Sequence, residues 1–275
     1  MALSDQIPVA SRFHAKSTGE EVLSGLDLNG KVAVVTGGSR DIGRSISIKL
    51  AQEGAKVVVN YFNSEAGANE TVAKIQSFGG EAIAVKADVS NLDDIQHLKA
   101  KTVEAFGDKV DIVVNNAGGL FARKTLQELD ESFYDLVMNV NFKATVFVMQ
   151  AFEPLMGEGG SIINLSSLAA RDGGGGGSSL YASSKGAVTT FTRSMAKELG
   201  PKGIRVNALC PGLIGTKFHD DFTSDDIRKM VASKTPVRRE GTADEVADLV
   251  VYLASDQSSF ITGTNFDING GLAFS

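Results

Sequence analysis

Seven short runs of mostly β-branched, apolar residues recur along this chain: KVAVVT at 31–36, KVVVN at 56–60, AIAVKAD at 82–88, DIVVNN at 111–116, SIINLS at 161–166, IRVNAL at 204–209 and TNFDI at 264–268. Their apolar residues are nearly continuous, so such strands must be covered on both faces, which is the signature of a parallel sheet. Amphipathic helical patterns fill the intervals: IGRSISIKLAQEG, SEAGANETVAKIQSFGG, NLDDIQHLKAKTVEAFG, and two longer helices expected over 131–156 and 180–199. Several end in glycine, as helix C-termini tend to. The expected fold class is α/β: one doubly wound domain with a seven-stranded parallel sheet and helices on both faces. No composition break interrupts it. Residues 27–275 are therefore read as one domain carrying both cofactor and substrate sites, and residues 1–26 as an appended arm. The glycine run DGGGGG at 172–177 predicts a mobile loop, either a plain linker or part of the site that follows it.

With 43% hydrophobic residues the chain can bury a sizeable core, yet no apolar run approaches the roughly 18 residues needed to cross a bilayer. The first 26 residues lack the apolar stretch of a secretory signal, and Asp5, Glu20 and Glu21 argue against a transit peptide. A formal charge of -6 argues against a nucleic-acid partner, including a helix-turn-helix reading of TTFTRSMAKELGPKGIRVN. Cys210 is the single cysteine, so an intramolecular disulfide and a thiolate metal cage are excluded and a cytoplasmic location is expected. The histidines are His14, His97 and His219, without an H-E-x-x-H or G-x-S-x-G pattern, so no metal and no Ser-His-Asp hydrolase is expected.

Two segments carry chemistry. The first strand runs into VTGGSRDIGR at 35–44 and straight on into a helix, the context in which a glycine-rich turn presents backbone N–H groups and a helix N-terminus to a pyrophosphate. Later, YASSK places Tyr181 and Lys185 four residues apart on one helix face, where the ammonium reaches the phenol.

Together with ADV at 87–89, NNAG at 115–118, YDLVMNVNF, NLSS, PGLIGT at 211–216 and NGG at 269–271, these segments resemble the short-chain dehydrogenase/reductase family in order, from Leu28 to Gly271. The resemblance implies a Rossmann fold and a catalytic set of Asn141, Ser167, Tyr181 and Lys185. Asn141 is aligned with the family's asparagine because Tyr134, an aromatic residue, stands seven positions earlier; Asn139 is the other candidate. It further implies cofactor contacts from Gly37, Ser39, Arg40, Asp41 and Ile42 in the turn, Asn60 and Tyr61 after the second run, Asp88 and Val89, Asn115, Ala117 and Gly118, Tyr181 and Lys185, and Pro211, Gly212, Ile214 and Thr216. Reducing a ketone needs a hydride donor, a proton donor at the oxygen and a dipole to hold that oxygen. A neighbouring ammonium and an oxidised nicotinamide are expected to move Tyr181 down from its ordinary pKa of about 10 toward working pH. The resemblance gives Lys185 the nicotinamide ribose, Ser167 the substrate oxygen and Asn141 a proton-relaying water; the plainer readings are a turn serine and an asparagine that satisfies a helix kink. Ser167 lies one residue further from Tyr181 than is usual, with the extra residue assigned to a bulge in the glycine run.

An acid at the end of the second strand would grip the ribose hydroxyls of NAD, but VVVNYFNS offers Asn60 and no acid. Arg40 is placed to pair with a 2′-phosphate, so NADPH/NADP+ is expected, with NADH/NAD+ the alternative. Arg123, Arg171, Lys217 and His219 lend a basic character to the variable segments, which points to a carboxylated substrate such as a keto sugar acid or uronate derivative, or else to solvated and ion-paired charges. Alternatives are a 3-oxoacyl thioester reductase and a non-catalytic NADP-binding sensor. The resemblance also implies a homo-oligomer, tetramer or dimer, packed through the two long helices. Asp41 departs from the pattern, which has glycine there. A phosphate about 5 Å away would cost its carboxylate roughly 3 kcal/mol at an effective dielectric of 20, against a gain of about 0.3 to 1 kcal/mol at a helix N-terminus. Its side chain is therefore expected to turn from the pyrophosphate, toward the helix or a basic partner.

Overall fold

The computed structural model describes residues 26–274, so all of the expected arm except Leu26 lies outside the described residues. Seven strands, β1 (Val32–Val35), β2 (Lys56–Tyr61), β3 (Ala82–Lys86), β4 (Ile112–Asn115), β5 (Ser161–Leu165), β6 (Arg205–Pro211) and β7 (Asn265–Ile268), form one sheet in the order β3-β2-β1-β4-β5-β6-β7. Every neighbouring pair is parallel. The helices are α1 (Asp41–Gln52), α2 (Glu65–Gln76), α3 (Leu92–Phe106), α4 (Glu131–Met138), α5 (Ala144–Phe152), α6 (Ala169–Asp172), α7 (Ser179–Leu199), α8 (Lys217–Phe222), α9 (Asp225–Lys234) and α10 (Ala243–Ala254). This is the Rossmann-like sheet anticipated from the seven apolar runs.

Alternate residues of each strand enter opposite cores, as the two-residue pleat dictates. Val35, Val57, Val59, Val114 and Leu209 pack with Ile46 and Leu50 of α1, Ile75 of α2 and Val246 and Val250 of α10. Val34, Val58, Val113 and Val206 pack on the other face with Leu98 of α3, Val148 and Phe152 of α5 and Leu199 of α7. Both faces are thus covered, which is why the strand sequences show no polar alternation. Chain progression reverses between β1 and β4, and a crevice opens beyond the carboxyl ends of strands at such a switch point.

The helix expected over 131–156 is not continuous. A π-helical turn, Asn139–Lys143, separates α4 from α5. Its buried Asn141 spends its amide on backbone partners, two of them outside the helix, and the wider turn accommodates that side chain.

The close approach of α1 to the turn that precedes it sets the crevice wall. A Cβ on Gly43 would press into the Gly37 carbonyl oxygen and lie 2.6 Å from Asn116 Nδ2, so only glycine fits. Gly43→Ala should lower the unfolding free energy by about 1–3 kcal/mol. Gly186→Ala on α7, where nothing lies within 4 Å of the added methyl, should raise it by up to about 1 kcal/mol. Urea titration of both variants checks the contrast.

Candidate active site

The floor of the crevice is a hydrogen-bonded joint between the ends of β1 and β4. Asn116 Nδ2 donates to Thr36 O at 2.9 Å and Gly37 O at 3.1 Å, while the Asn116 and Ala117 amides each donate to Thr36 Oγ1 at 3.0 Å. Asn116 is missing from the expected set. Its signal was available, since it is the first residue past β4 and adjoins Asn115 in NNAG.

Several expected cofactor contacts have side chains committed elsewhere. Asn60 is buried; its Oδ1 accepts from the Gly37 amide at 3.2 Å and its Nδ2 donates to Ala87 O at 3.0 Å, so it ties the turn to the segment after β3. Asn115 Nδ2 donates to Asn164 Oδ1 at 2.8 Å, and Asn164 Nδ2 donates to Thr192 Oγ1 at 2.9 Å, a chain running under the sheet end. Tyr61 and Val89 are core residues, and burial raises the Tyr61 phenol. Asp88 is half-buried and accepts from the Ser90 amide and hydroxyl. Ser39 is buried, and Ile42 packs partly against the α1-side core. Pro211 closes β6, Gly212 donates to Ile268 O at 3.0 Å, Ile214 is buried in the core, and Thr216 Oγ1 donates to Ile214 O at 3.2 Å.

Arg40 is 60% exposed at the mouth of the turn, with Asp41 Oδ2 3.8 Å from its Nε. Asp41 takes φ +50°. Its Oδ1 accepts from the backbone amide of Lys217, 3.2 Å away at the start of α8. The basic partner anticipated for this carboxylate is Arg40, and the amide it meets belongs to a distant segment.

Helix α7 carries the titratable pair. Lys185 is buried, its Nζ donates to Leu165 O at 2.6 Å and lies 5.9 Å from the Tyr181 ring centroid. Burial depresses its ammonium to about 8. The Ser167 side chain draws the Tyr181 pKa down, but burial outweighs this and holds the phenol above its ordinary value. In the protein alone the phenol's own desolvation outweighs the lowering expected from the sequence. Ser167 Oγ also accepts from the Ala169 amide at 3.1 Å, fixing the loop after β5. Asn141 Oδ1 accepts from the Gly119 amide and its Nδ2 donates to Gly119 O, both at 2.9 Å. Gly118 is wedged between these groups: a Cβ there would lie 2.6 Å from Asn141 Oδ1 and 3.0 Å from Lys185 Nζ.

Three segments border the pair. Phe218 of α8 tilts against Tyr181 with centroids 5.8 Å apart, and Phe222 packs on Phe218 at 5.4 Å. Arg123 straps two of the segments together, donating to Gly176 O at 2.9 Å and Phe222 O at 3.3 Å, while the Lys124 amide donates to Gly177 O at 3.0 Å. Arg171 does not join a basic patch. It pairs with Asp267 at 3.2 Å and donates to Asn265 O at 3.0 Å.

The family model described as enoyl-(acyl carrier protein) reductase matches residues 37–273. An oxidoreductase of Methylorubrum extorquens without assigned function is 39% identical over 247 residues, covering 89% of this chain and 98% of that protein. Versicolorin reductase 1 of Dothistroma septosporum is 38% identical over 255 residues, covering 89% and 96%. The chain belongs to the short-chain dehydrogenase/reductase family. A solved dehydrogenase/reductase from Sinorhizobium meliloti superposes with a TM-score of 0.87 at 36% identity, covering 92% of this chain and 98% of that one. A short-chain dehydrogenase from Burkholderia cenocepacia, solved in complex with NADP, gives 0.82 at 37% identity, covering 89% and 98%.

The protein is accordingly an oxidoreductase with a nicotinamide cofactor. The crevice fits such a group, because the turn between β1 and α1 and the bare Gly118 leave backbone where side chains would otherwise stand. The described residues contain no helix long and apolar enough to cross a membrane. Gly118→Ala should push Asn141 and Lys185 apart and cut turnover at least about tenfold, the cost of displacing positioned groups by a fraction of an ångström. Circular dichroism of the same variant should remain that of a folded protein.

Proposed function

We propose that this enzyme reduces a ketone or aldehyde to an alcohol, with Tyr181 as proton donor. The observation that carries this reading is the buried Lys185 ammonium 5.9 Å from the Tyr181 ring, with the Ser167 side chain acting on the same phenol. The phenol remains protonated at neutral pH, as an acid for reduction must. When bound, the dihydronicotinamide supplies the hydride. Tyr181 gives its proton to the carbonyl oxygen, Ser167 holds that oxygen by a hydrogen bond, and Lys185, charged below about 8, stabilises the phenolate left behind. Asn141 holds the Gly119 backbone in place and thereby keeps the wall beside Lys185.

NADPH is the donor in this reading. Arg40 is exposed at the turn and the end of β2 bears no acid. For the substrate, the residues bordering Tyr181 are aromatic, Phe218 and behind it Phe222, and Arg171 is withdrawn into its pair with Asp267. This favours a flat, largely apolar ketone over the keto sugar acid, in keeping with relatives named versicolorin reductase. Residues 27–275 act as one domain in this reading. Exposed Leu126, Tyr134 and Leu136 beside α4 support assembly as a homodimer or homotetramer.

Following NADPH absorbance across flat aromatic ketones, keto sugar acids and 3-oxoacyl thioesters tests the substrate. Fastest turnover is expected on the first group; preference for the thioesters would transfer the assignment to the acyl-carrier reading. Tyr181→Phe should lower kcat by about 10²–10⁴-fold. With Lys185 protonated below about 8, the reduction rate should be level at lower pH and fall as pH rises through about 8, in a pH profile of kcat/KM. Arg40→Ala should raise KM for NADPH about tenfold or more while that for NADH moves by less than about threefold, since only the former loses a charge-assisted bond.

A further inference from the structure

The contact between Asp41 and Lys217 joins two parts of the molecule that are 176 residues apart in sequence. Asp41 opens α1 directly after the glycine-rich turn, and Lys217 opens α8, whose second residue is Phe218. Only a residue whose side chain leaves the turn on the substrate side can make this bond, and the φ of +50° at Asp41 aims it there. A glycine at this position would shape the same turn with greater ease but would have nothing to offer α8.

The rest of α8 is also held from outside. Arg228 bridges its Asp220, at 2.5 Å, to Glu240, at 2.7 Å. Its last residue, Phe222, is held through its carbonyl by Arg123. Asp41 supplies a further attachment, at the end nearest Phe218. The Lys217 amide is one of the helix-start donors that have no partner within the helix, and a carboxylate oxygen is the strongest acceptor a side chain can bring to it.

We propose that Asp41 is a positioning residue that latches the aromatic cover over Tyr181 to the cofactor turn, so that ordering of the turn by the dinucleotide and closure of α8 over the substrate are coupled. The latch itself is independent of the substrate; its kinetic effect rests on the carbonyl-reductase reading. Linkage makes the coupling reciprocal: whatever orders the turn protects α8, and whatever frees α8 loosens the turn.

Hydrogen exchange of residues 217–222, followed by mass spectrometry with and without saturating NADP+, tests the latch in the unmodified protein and in Asp41→Gly and Asp41→Asn. In the unmodified protein NADP+ should slow exchange in this segment. Asp41→Gly should speed exchange about tenfold and abolish the effect of NADP+, the loss expected for one charge-assisted hydrogen bond. Asp41→Asn, whose amide oxygen still accepts, should fall between. With the carbonyl compound turned over fastest in the panel above, Asp41→Gly should raise KM about five- to tenfold and lower kcat by a smaller factor. Unchanged exchange in Asp41→Gly would overturn the proposal. So would a tenfold shift in NADP+ affinity with no change in carbonyl KM, since Asp41 would then act on the phosphates. If no compound of the panel is reduced, the reductase reading fails, and the exchange measurement still decides the latch.

Discussion

Backbone-to-backbone contact at the Gly43 position is the constraint on which the rest of the structure depends. There the first turn of α1 lies against the Gly37 carbonyl, and the Asn116 amide clasps both Gly37 and Thr36. The clasp joins β1 to β4 where chain progression reverses, so the crevice is fixed by main-chain groups and one asparagine. Asn60 performs the matching task between β2 and β3, reaching the Gly37 amide from the other side. Buried Asn60 and half-buried Asn116 thereby hold the turn from opposite sides, and the amide donors they spend there are not available for a ligand.

The chemistry depends on a similar exchange of solvent for fixed partners. Lys185 gives up water for the Leu165 carbonyl and a buried site, which weakens its hold on its proton. Tyr181 gives up water on burial and keeps its proton more firmly. The two groups have nearly equal acidities in water, and the two shifts move them apart, so that the phenol keeps its proton while the ammonium gives up its own more readily. Gly118 and the π-helical turn serve this arrangement by leaving room for Asn141 and Lys185 to approach the same wall.

Much of this was legible in the amino-acid order, for reasons of periodicity and motif. Strands covered on both faces declare themselves by apolar runs, and the four-residue spacing of Tyr181 and Lys185 sets both on one side of α7. What escaped depends on distant partners. The interruption at Asn139–Lys143, open in the sequence only as the plainer reading of Asn141, arises because Asn141 bonds the Gly119 backbone, a partner absent from the local helical pattern. Asn60 reads as a cofactor contact at the strand end, but the strand continues to Tyr61 and turns Asn60 inward. Arg171 reads either as part of a basic patch or as one of an ion pair, and only β7, which brings Asp267 beside it, decides for the pair. In each case the deciding contact joins residues far apart in the chain, and local composition carries no record of it.

The glycine run ends as something other than a free linker. Arg123 and Lys124 grip it through the carbonyls of Gly176 and Gly177, groups that every amino acid possesses. A loop held by its main chain is held regardless of its side chains. The segment beside Tyr181 is therefore open to revision: selection, or an engineer, can change what it presents to a substrate at Gly176, which is free of left-handed strain and where nothing lies within 4 Å of an added Cβ, without releasing the strap that keeps it in place.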